Sequence, residues 1–170
     1  MRELNEMKDA TANYQYLTIQ QVCAGEQLPE LQHEVTATSV ILGALASRDW
    51  RPMHHDRDFA QQRNRTRDIF MNTPNQAAWL ERYITDWAGP TARIGRYKFR
   101  MGDSICPGDT MVFSGSVDGI ETDEQSCCWV NLSIALCVNG DPKTRFTARV
   151  ALPKDSKDNP WARTGTQWQP

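Results

Sequence analysis

The stretch Ser47-Arg-Asp-Trp-Arg-Pro-Met-His-His-Asp-Arg-Asp-Phe-Ala60 holds the densest set of chemically capable residues in the chain. Asp49 and His54 stand five residues apart, with Pro52 between them. Pro52 fixes its own φ, lacks a backbone donor and disfavours the α region at Arg51, so the segment reads as a bent loop rather than a helix. A loop presenting a carboxylate beside an imidazole suits acid–base chemistry. His titrates nearest neutrality of all side chains, and a neighbouring carboxylate can orient it and tune its basicity. The same residues also make an ordinary solvated polar loop, and spacing alone does not choose between the two.

The elements that must position this loop follow from periodicity and punctuation. A first strand is expected over 31–38, where apolar and polar residues alternate. The apolar run over 39–47 suits a short helix capped by Thr38 or Ser39, which would deliver Asp49 at its C-terminal end. Residues 57–62 fit a short helical turn and 66–71 a short strand. The best-specified helix spans 74–88. Thr73 is its expected N-cap, Pro74 its first residue and Gln76 the partner in a capping box, with Gly89-Pro90 as the stop. Ala77, Leu80, Ile84 and Trp87 recur at helical spacing with Tyr83 beside them, so one side should be buried. Trp79 and Trp87 read as packing residues.

Strands follow at 93–101, 110–117, 127–138 and 144–152, with turns expected at Asp118-Gly119 and at Asn139-Gly140-Asp141-Pro142. In the third of these strands Cys128, Val130, Leu132, Ile134, Leu136 and Val138 define an apolar face, opposite a more polar one. Residues 1–16, polar and mixed in charge, read as a loose arm or a short helix. Residues 153–170 read as a polar tail that either wanders or lies on a neighbouring surface. Strand, helical insertion, central helix and a run of antiparallel strands make a single α+β domain over 17–152.

Asp49, Pro52, Met53, His54 and Ala60 fall in register with the signature of MaoC-like, R-specific enoyl-CoA hydratases, whose pattern runs Asp-x-Asn-Pro-aliphatic-His-x5-Ala/Ser. The resemblance covers roughly 18–152, and Arg51 stands where that family usually has Asn. It implies a hotdog fold, an antiparallel sheet wrapped round one central helix, here the helix at 74–88. It implies that Asp49 and His54 are the catalytic pair, adding water across the double bond of a 2-enoyl-CoA thioester. Substrate contacts are then expected from Arg51, His55, Asn72 and Thr73, with backbone donors near Asn72 and Thr73 for the thioester oxygen. Family members usually carry glycine in that neighbourhood, whereas this chain reads Phe70-Met-Asn-Thr-Pro. Neither metal nor separate cofactor is implied, since coenzyme A arrives with the substrate, and three consecutive ligands at His54, His55 and Asp56 would suit a metal poorly. Basic residues at Arg93, Arg96, Lys98 and Arg100 and at Lys143, Arg145 and Arg149 are mainly ordinary strand faces, one or two of them candidates for the CoA phosphates.

The segments at 68–74 and 82–90 further resemble actinobacterial MaoC-like proteins of steroid side-chain degradation, which implies a bulky polycyclic acyl group. Three other readings stand beside the hydratase, of which a simple acyl-CoA binding module would show affinity without turnover. Another is a non-catalytic hotdog subunit supporting a sister hydratase. The third is an acyl-CoA thioesterase, which would need a carboxylate from the central helix, where Glu81 and Asp86 are the only acids. Pairing with another hotdog chain, as a homodimer or a heteromer, is expected by resemblance and agrees with the open edge of an antiparallel sheet.

Composition sets outer bounds. The chain has 170 residues and a net charge of −2, enough length for a real core and too little positive charge for a dedicated nucleic-acid or acidic-membrane binder. No run reaches the ~18 apolar residues of a membrane span, and Met1-Arg-Glu-Leu-Asn-Glu lacks secretory character. Five cysteines without a CxxC pattern read as reduced, mostly buried thiols, and the expected location is cytoplasmic. His33 reads as structural.

Overall fold

The computed structural model describes residues 16–170; the expected arm lies outside them apart from Tyr16, which is exposed. Strand β1 (Gln27–Glu34) leads into helix α1 (Ala37–Ala46), a one-turn helix α2 (Arg57–Phe59) and a π-helical turn (Ala60–Asn64), then the long helix α3 (Thr73–Ala88). Strands β2 (Arg93–Met101), β3 (Thr110–Thr122), β4 (Cys128–Val138) and β5 (Asp141–Leu152) complete one antiparallel sheet in the order β1-β3-β4-β5-β2.

The sheet closes round α3 because both contribute an apolar face to one core. Leu80, Tyr83, Ile84 and Trp87 of α3 meet Phe113 of β3 and the inward residues of β4. On β4 the alternation expected from sequence holds, with Val130, Leu132, Ile134, Leu136 and Val138 buried and Ser133 exposed. Tyr83 stacks on Phe113 with ring centroids 5.6 Å apart, and burial pushes its hydroxyl up to about 12.

Several boundaries differ from expectation for local reasons. The first strand lies at Gln27–Glu34 rather than 31–38. Pro29 is accommodated at a register shift between Leu28 and Leu31 on this edge strand, and Thr36 is consumed by capping α1, exchanging bonds with Ser39. Residues 66–71 form no strand. Met71 N–H donates to the Ile105 carbonyl and Thr66 Oγ1 turns back to the Ala60 carbonyl, so the segment crosses the end of the core as a loop. Asp118-Gly119 is a bulge within β3, not a turn. The chain reverses instead at 123–127, where Asp123 Oδ1 accepts the Gln125 and Cys127 N–H groups. Asn139 and Gly140, at φ 54° and 82°, make a two-residue hairpin turn, which leaves Asp141 and Pro142 in β5.

The tail lies on the outer face of the sheet. Trp168 tilts over Trp129 at 4.9 Å and roofs a small cluster with Cys127 and Ala151. The Arg93 guanidinium sits 3.7 Å from the Trp168 ring and donates to the carbonyls of Pro160 and Arg163. All five cysteines are free: Cys106, Cys127 and Cys128 are buried, Cys137 is half-buried and Cys23 is exposed, the last departing from expectation. His33 is half-buried, with its ring 4.0 Å from that of Trp79.

Helix α1 crosses α3 where Gly43 faces Asn75, whose side chain donates to the Ser39 carbonyl. A Cβ at Gly43 would collide with the Asn75 amide. Gly43→Ala is therefore expected to lose about 1–3 kcal/mol of stability in urea unfolding, the usual cost of overpacking. A loss of only a few tenths would mean that α1 shifts freely on α3.

Candidate functional site

Helix α1 ends by turning its chain back on itself. Ser47 N–H and Oγ both bond the Gly43 carbonyl, and Arg48 takes a left-handed conformation at φ 54°. The Asp49 N–H then bonds the Ala44 carbonyl, which fixes the carboxylate three residues beyond the end of the helix. Pro52 begins a short 3-10 turn (Pro52–His54), and that turn carries the His54 ring inward until it is 2 % exposed. This is the bent loop that Pro52 dictated.

Two contacts define the imidazole. Nδ1 lies 2.7 Å from the Phe70 carbonyl, an acceptor, so Nδ1 carries the hydrogen in the neutral ring and Nε2 keeps its lone pair. Nε2 is 3.3 Å from Asp49 Oδ2 but poorly aligned with it, and this buried nitrogen has no hydrogen-bond partner. Two acceptors thus stand side by side with no hydrogen between them.

Three side-chain hydrogen bonds hold the carboxylate. Arg51 clamps it in bidentate fashion, Nε to Oδ1 and Nη2 to Oδ2, both at 2.8 Å. Asn72 Nδ2 donates to Oδ2 at 3.0 Å. The Arg51 guanidinium foremost, with the Asn72 amide behind it, holds the Asp49 carboxyl well below the usual carboxylate range against the opposing effect of burial.

Asn72, not Thr73, is the N-cap of α3: its Oδ1 accepts the Asn75 N–H at 3.0 Å, and the helix begins at Thr73. The expected capping box fails because Gln76 is buried and accepts a hydrogen bond from Thr144 Oγ1 of β5 at 2.9 Å. Of the first three backbone positions, Pro74 has no N–H and that of Asn75 is taken by the cap. The Thr73 N–H is left as the donor at the positive end of the helix.

A cleft of about 350 Å³ opens over these groups, bordered by Arg51, Met53, His54, the 70–73 segment, Gln76 and the 101–104 loop. The site residues expected from sequence therefore come together with one exception. Arg51, His54, Asn72 and Thr73 border the cleft and Asp49 lies behind them, bonded to Arg51 and Asn72 and beside His54, while His55 is exposed and outside the cleft. Glu81 accepts the Tyr97 hydroxyl and Asp86 pairs with Arg82, so neither helix acid reaches it. Sequence reasoning missed the Phe70 carbonyl, Gln76, Met101 and Asp103. A backbone carbonyl has no side-chain signature, and the others depend on contacts distant in sequence: Gln76 meets Thr144, Asp103 meets Lys143, and Met101 pairs with Thr144 at the end of β2.

The MaoC like domain profile matches residues 19–134. The chain belongs to the MaoC-like family. A "3-oxo-4,17-pregnadiene-20-carboxyl-CoA hydratase beta subunit" of Mycobacterium tuberculosis (strain ATCC 25618 / H37Rv) is 41 % identical over 96 residues, which cover 56 % of this chain and 74 % of that protein. Among solved structures, the ChsH1-ChsH2 complex of the same species matches with a TM-score of 0.70 at 30 % identity, covering 77 % of this chain and 98 % of the matched one. The (R)-hydratase of A. caviae involved in PHA biosynthesis matches at 0.69 and 19 % identity, covering 79 % and 99 %, a likeness of fold. The hotdog architecture expected by resemblance is thereby established, with α3 as its central helix.

Against the MaoC-like pattern, Arg51 is the departure with a physical consequence, because it takes both oxygens of Asp49. Arg51→Ala is expected to move the Asp49 titration upward, followed by carboxyl-resolved NMR. The sign follows from the depressed carboxyl. Its stabilising contribution is present above the ordinary carboxylate value and lost as pH falls through the depressed one, so the variant should lose less stability from Asp49 on acidification. An unmoved titration would show that this exposed guanidinium does not hold its clamp in solution.

Proposed function

We propose that the chain hydrates a trans-2-enoyl-CoA thioester to the 3-hydroxyacyl-CoA, with Asp49 and His54 as the catalytic pair. The observation that carries this reading is the close approach, 3.3 Å, of Asp49 Oδ2 to the unpartnered Nε2 of His54, a carboxylate beside an imidazole nitrogen that is free to take a proton. His54 Nε2 takes one water proton as the oxygen attacks the β-carbon, and Asp49 accepts the other hydrogen and steadies the imidazolium that forms. The proton on Nε2 then passes to the α-carbon. The bond from water oxygen to the β-carbon and the new α C–H bond replace the C=C π bond, and no oxidant or reductant is required.

Asp49 suits the holding role better than the role of base, because Arg51 and Asn72 lower its affinity for a proton. The enolate-like oxygen that develops during attack is met by the Thr73 N–H, at the helix terminus whose dipole favours negative charge. Arg51 and Asn72 act through Asp49 and are positioning residues in this scheme. The expected role of His55 in substrate binding is set aside, as its side chain lies away from the cleft.

The 41 % identical relative is a hydratase subunit acting on a steroid-derived acyl-CoA, which supports a bulky polycyclic acyl group here and a function within a heteromer of hotdog chains. A CoA thioester substrate fits the expected cytoplasmic location, and among the described residues no helix is long and apolar enough to cross a membrane. The specific observation favouring the non-catalytic alternative is the Arg51 clamp, which occupies the carboxylate that a water molecule must reach.

The test is loss of enoyl-thioester absorbance with crotonyl-CoA, a medium-chain enoyl-CoA and a steroid enoyl-CoA, for the chain alone and with a co-purifying hotdog chain. Asp49→Asn and His54→Ala are each expected to lower turnover at least about 100-fold, the scale of general acid–base catalysis. His55→Ala is expected to stay within about twofold of the parent, as a surface change away from the reacting groups. Full turnover in folded Asp49→Asn and His54→Ala proteins would overturn the proposal, and no turnover by any protein here would favour the non-catalytic subunit.

A further inference from the structure

The outer face of the sheet carries a charge pattern that the cleft does not use. On β2 the inward side chains Ile94, Tyr97 and Phe99 pack on the core. The outward ones are Arg96, Lys98 and Arg100, all exposed. Register sets Arg96 opposite Arg149 and Arg100 opposite Arg145 on β5. Like charges directly across strands repel. Arg149 is neutralised by Glu121 at 3.0 Å and covers Trp129. Among the described residues Arg96, Lys98, Arg100 and Arg145 have no ion pair.

These cations line an open edge. The sheet has two edge strands, β1 and β2. Strand β1 is blunted by Pro29 and by the register shift beside it. Strand β2 contains no proline, pairs only with β5 and leaves its other side free. The tail covers only its first residues, where Pro170 meets Gly95, and the cationic run starts immediately afterwards.

An antiparallel pair of identical β2 strands that keeps its faces matched must have its two-fold axis through a residue. Centred on Tyr97 it sets Arg96 against Lys98, and centred on Lys98 it sets Lys98 against itself and Arg96 against Arg100. Centred on Phe99 it sets Lys98 against Arg100. Every such register adds cation–cation pairs to a face that already has them.

We propose that the outward face of β2 is a charge code that rejects a second copy of this chain and selects a partner sheet whose edge strand presents Asp and Glu on the same side. The proposal rests on the reading that this chain works with another hotdog chain, and its test reads assembly rather than turnover, so the two stand or fall separately. Head-to-tail pairing of β2 with the β1 edge of another copy, where Glu30 and Glu34 are exposed, is opposed by the Pro29 bulge.

Sedimentation velocity on the full chain, on an Arg96→Glu/Lys98→Glu/Arg100→Glu variant and on their equimolar mixture tests the code, since the variant supplies the acidic edge. The mixture is expected to associate at least about tenfold more tightly than the parent chain alone, and to weaken at least about tenfold between roughly 50 and 500 mM salt. Circular dichroism checks the fold. Should the variant not fold, the Arg96→Gln/Lys98→Gln/Arg100→Gln protein replaces it and is expected to self-associate more tightly than the parent. A parent chain that dimerises as tightly as the mixture, or that polymerises with concentration, overturns the proposal, as does a Gln variant no stickier than the parent. Binding of a short DNA duplex with matching affinity, lost in the variant, would also overturn it by assigning the face to polyanions.

Discussion

The Asn72 side chain joins the parts on which the site depends. Its amide donates to Ser47 Oγ at 2.8 Å and to Asp49 Oδ2 at 3.0 Å, while its oxygen caps α3 through the Asn75 N–H. The group is 2 % exposed, so each unmet bond would carry the cost of a buried orphan. With three partners it fixes the end of α1 and the start of α3 in one geometry. The acid that faces His54 is thus set by the same amide that starts the central helix.

That arrangement links stability to chemistry. Helix α1 approaches α3 closely only because position 43 is glycine and Asn75 fills the space beside it. The end of α1 then brings Asp49 to the helix start, and the 3-10 turn returns His54 against the Phe70 carbonyl, one strap of backbone before Asn72. Carboxylate, imidazole and helix terminus are therefore supported by packed backbone rather than by free loop, which is what reproducible proton transfer requires. Arg51 is the exception, an exposed side chain reaching back to its neighbour.

The two faces of the sheet do different work. The inner face is apolar and fills with α3, so its composition is dictated by packing. The outer face is roofed at one end by Trp168 and Arg93 and bears unpaired cations at the other. Repulsion of that kind is stable in an isolated chain because solvent and salt screen it, and it gains force when a second sheet excludes water beside it.

The loop at 49–60 was legible because its chemistry is local: Pro52 keeps Arg51 extended and bars a helix from Asp49 to His54, the two residues lie close in sequence, and their register carries the family resemblance. The strand alternation of β4 and the apolar stripe of α3 were legible for the same reason, since burial of one face imposes a period of 2 or 3.6. What sequence alone left undecided is contact between segments far apart in the chain. Asn72 displaced Thr73 as the cap because it also reaches Ser47 and Asp49, and Gln76 left the capping box for Thr144 of β5. The expected strand at 66–71 failed because strand order gave it no neighbour. A periodic apolar face fixes a local element once something packs on it, whereas an unpartnered strand and a buried polar group go where the tertiary structure offers them neighbours.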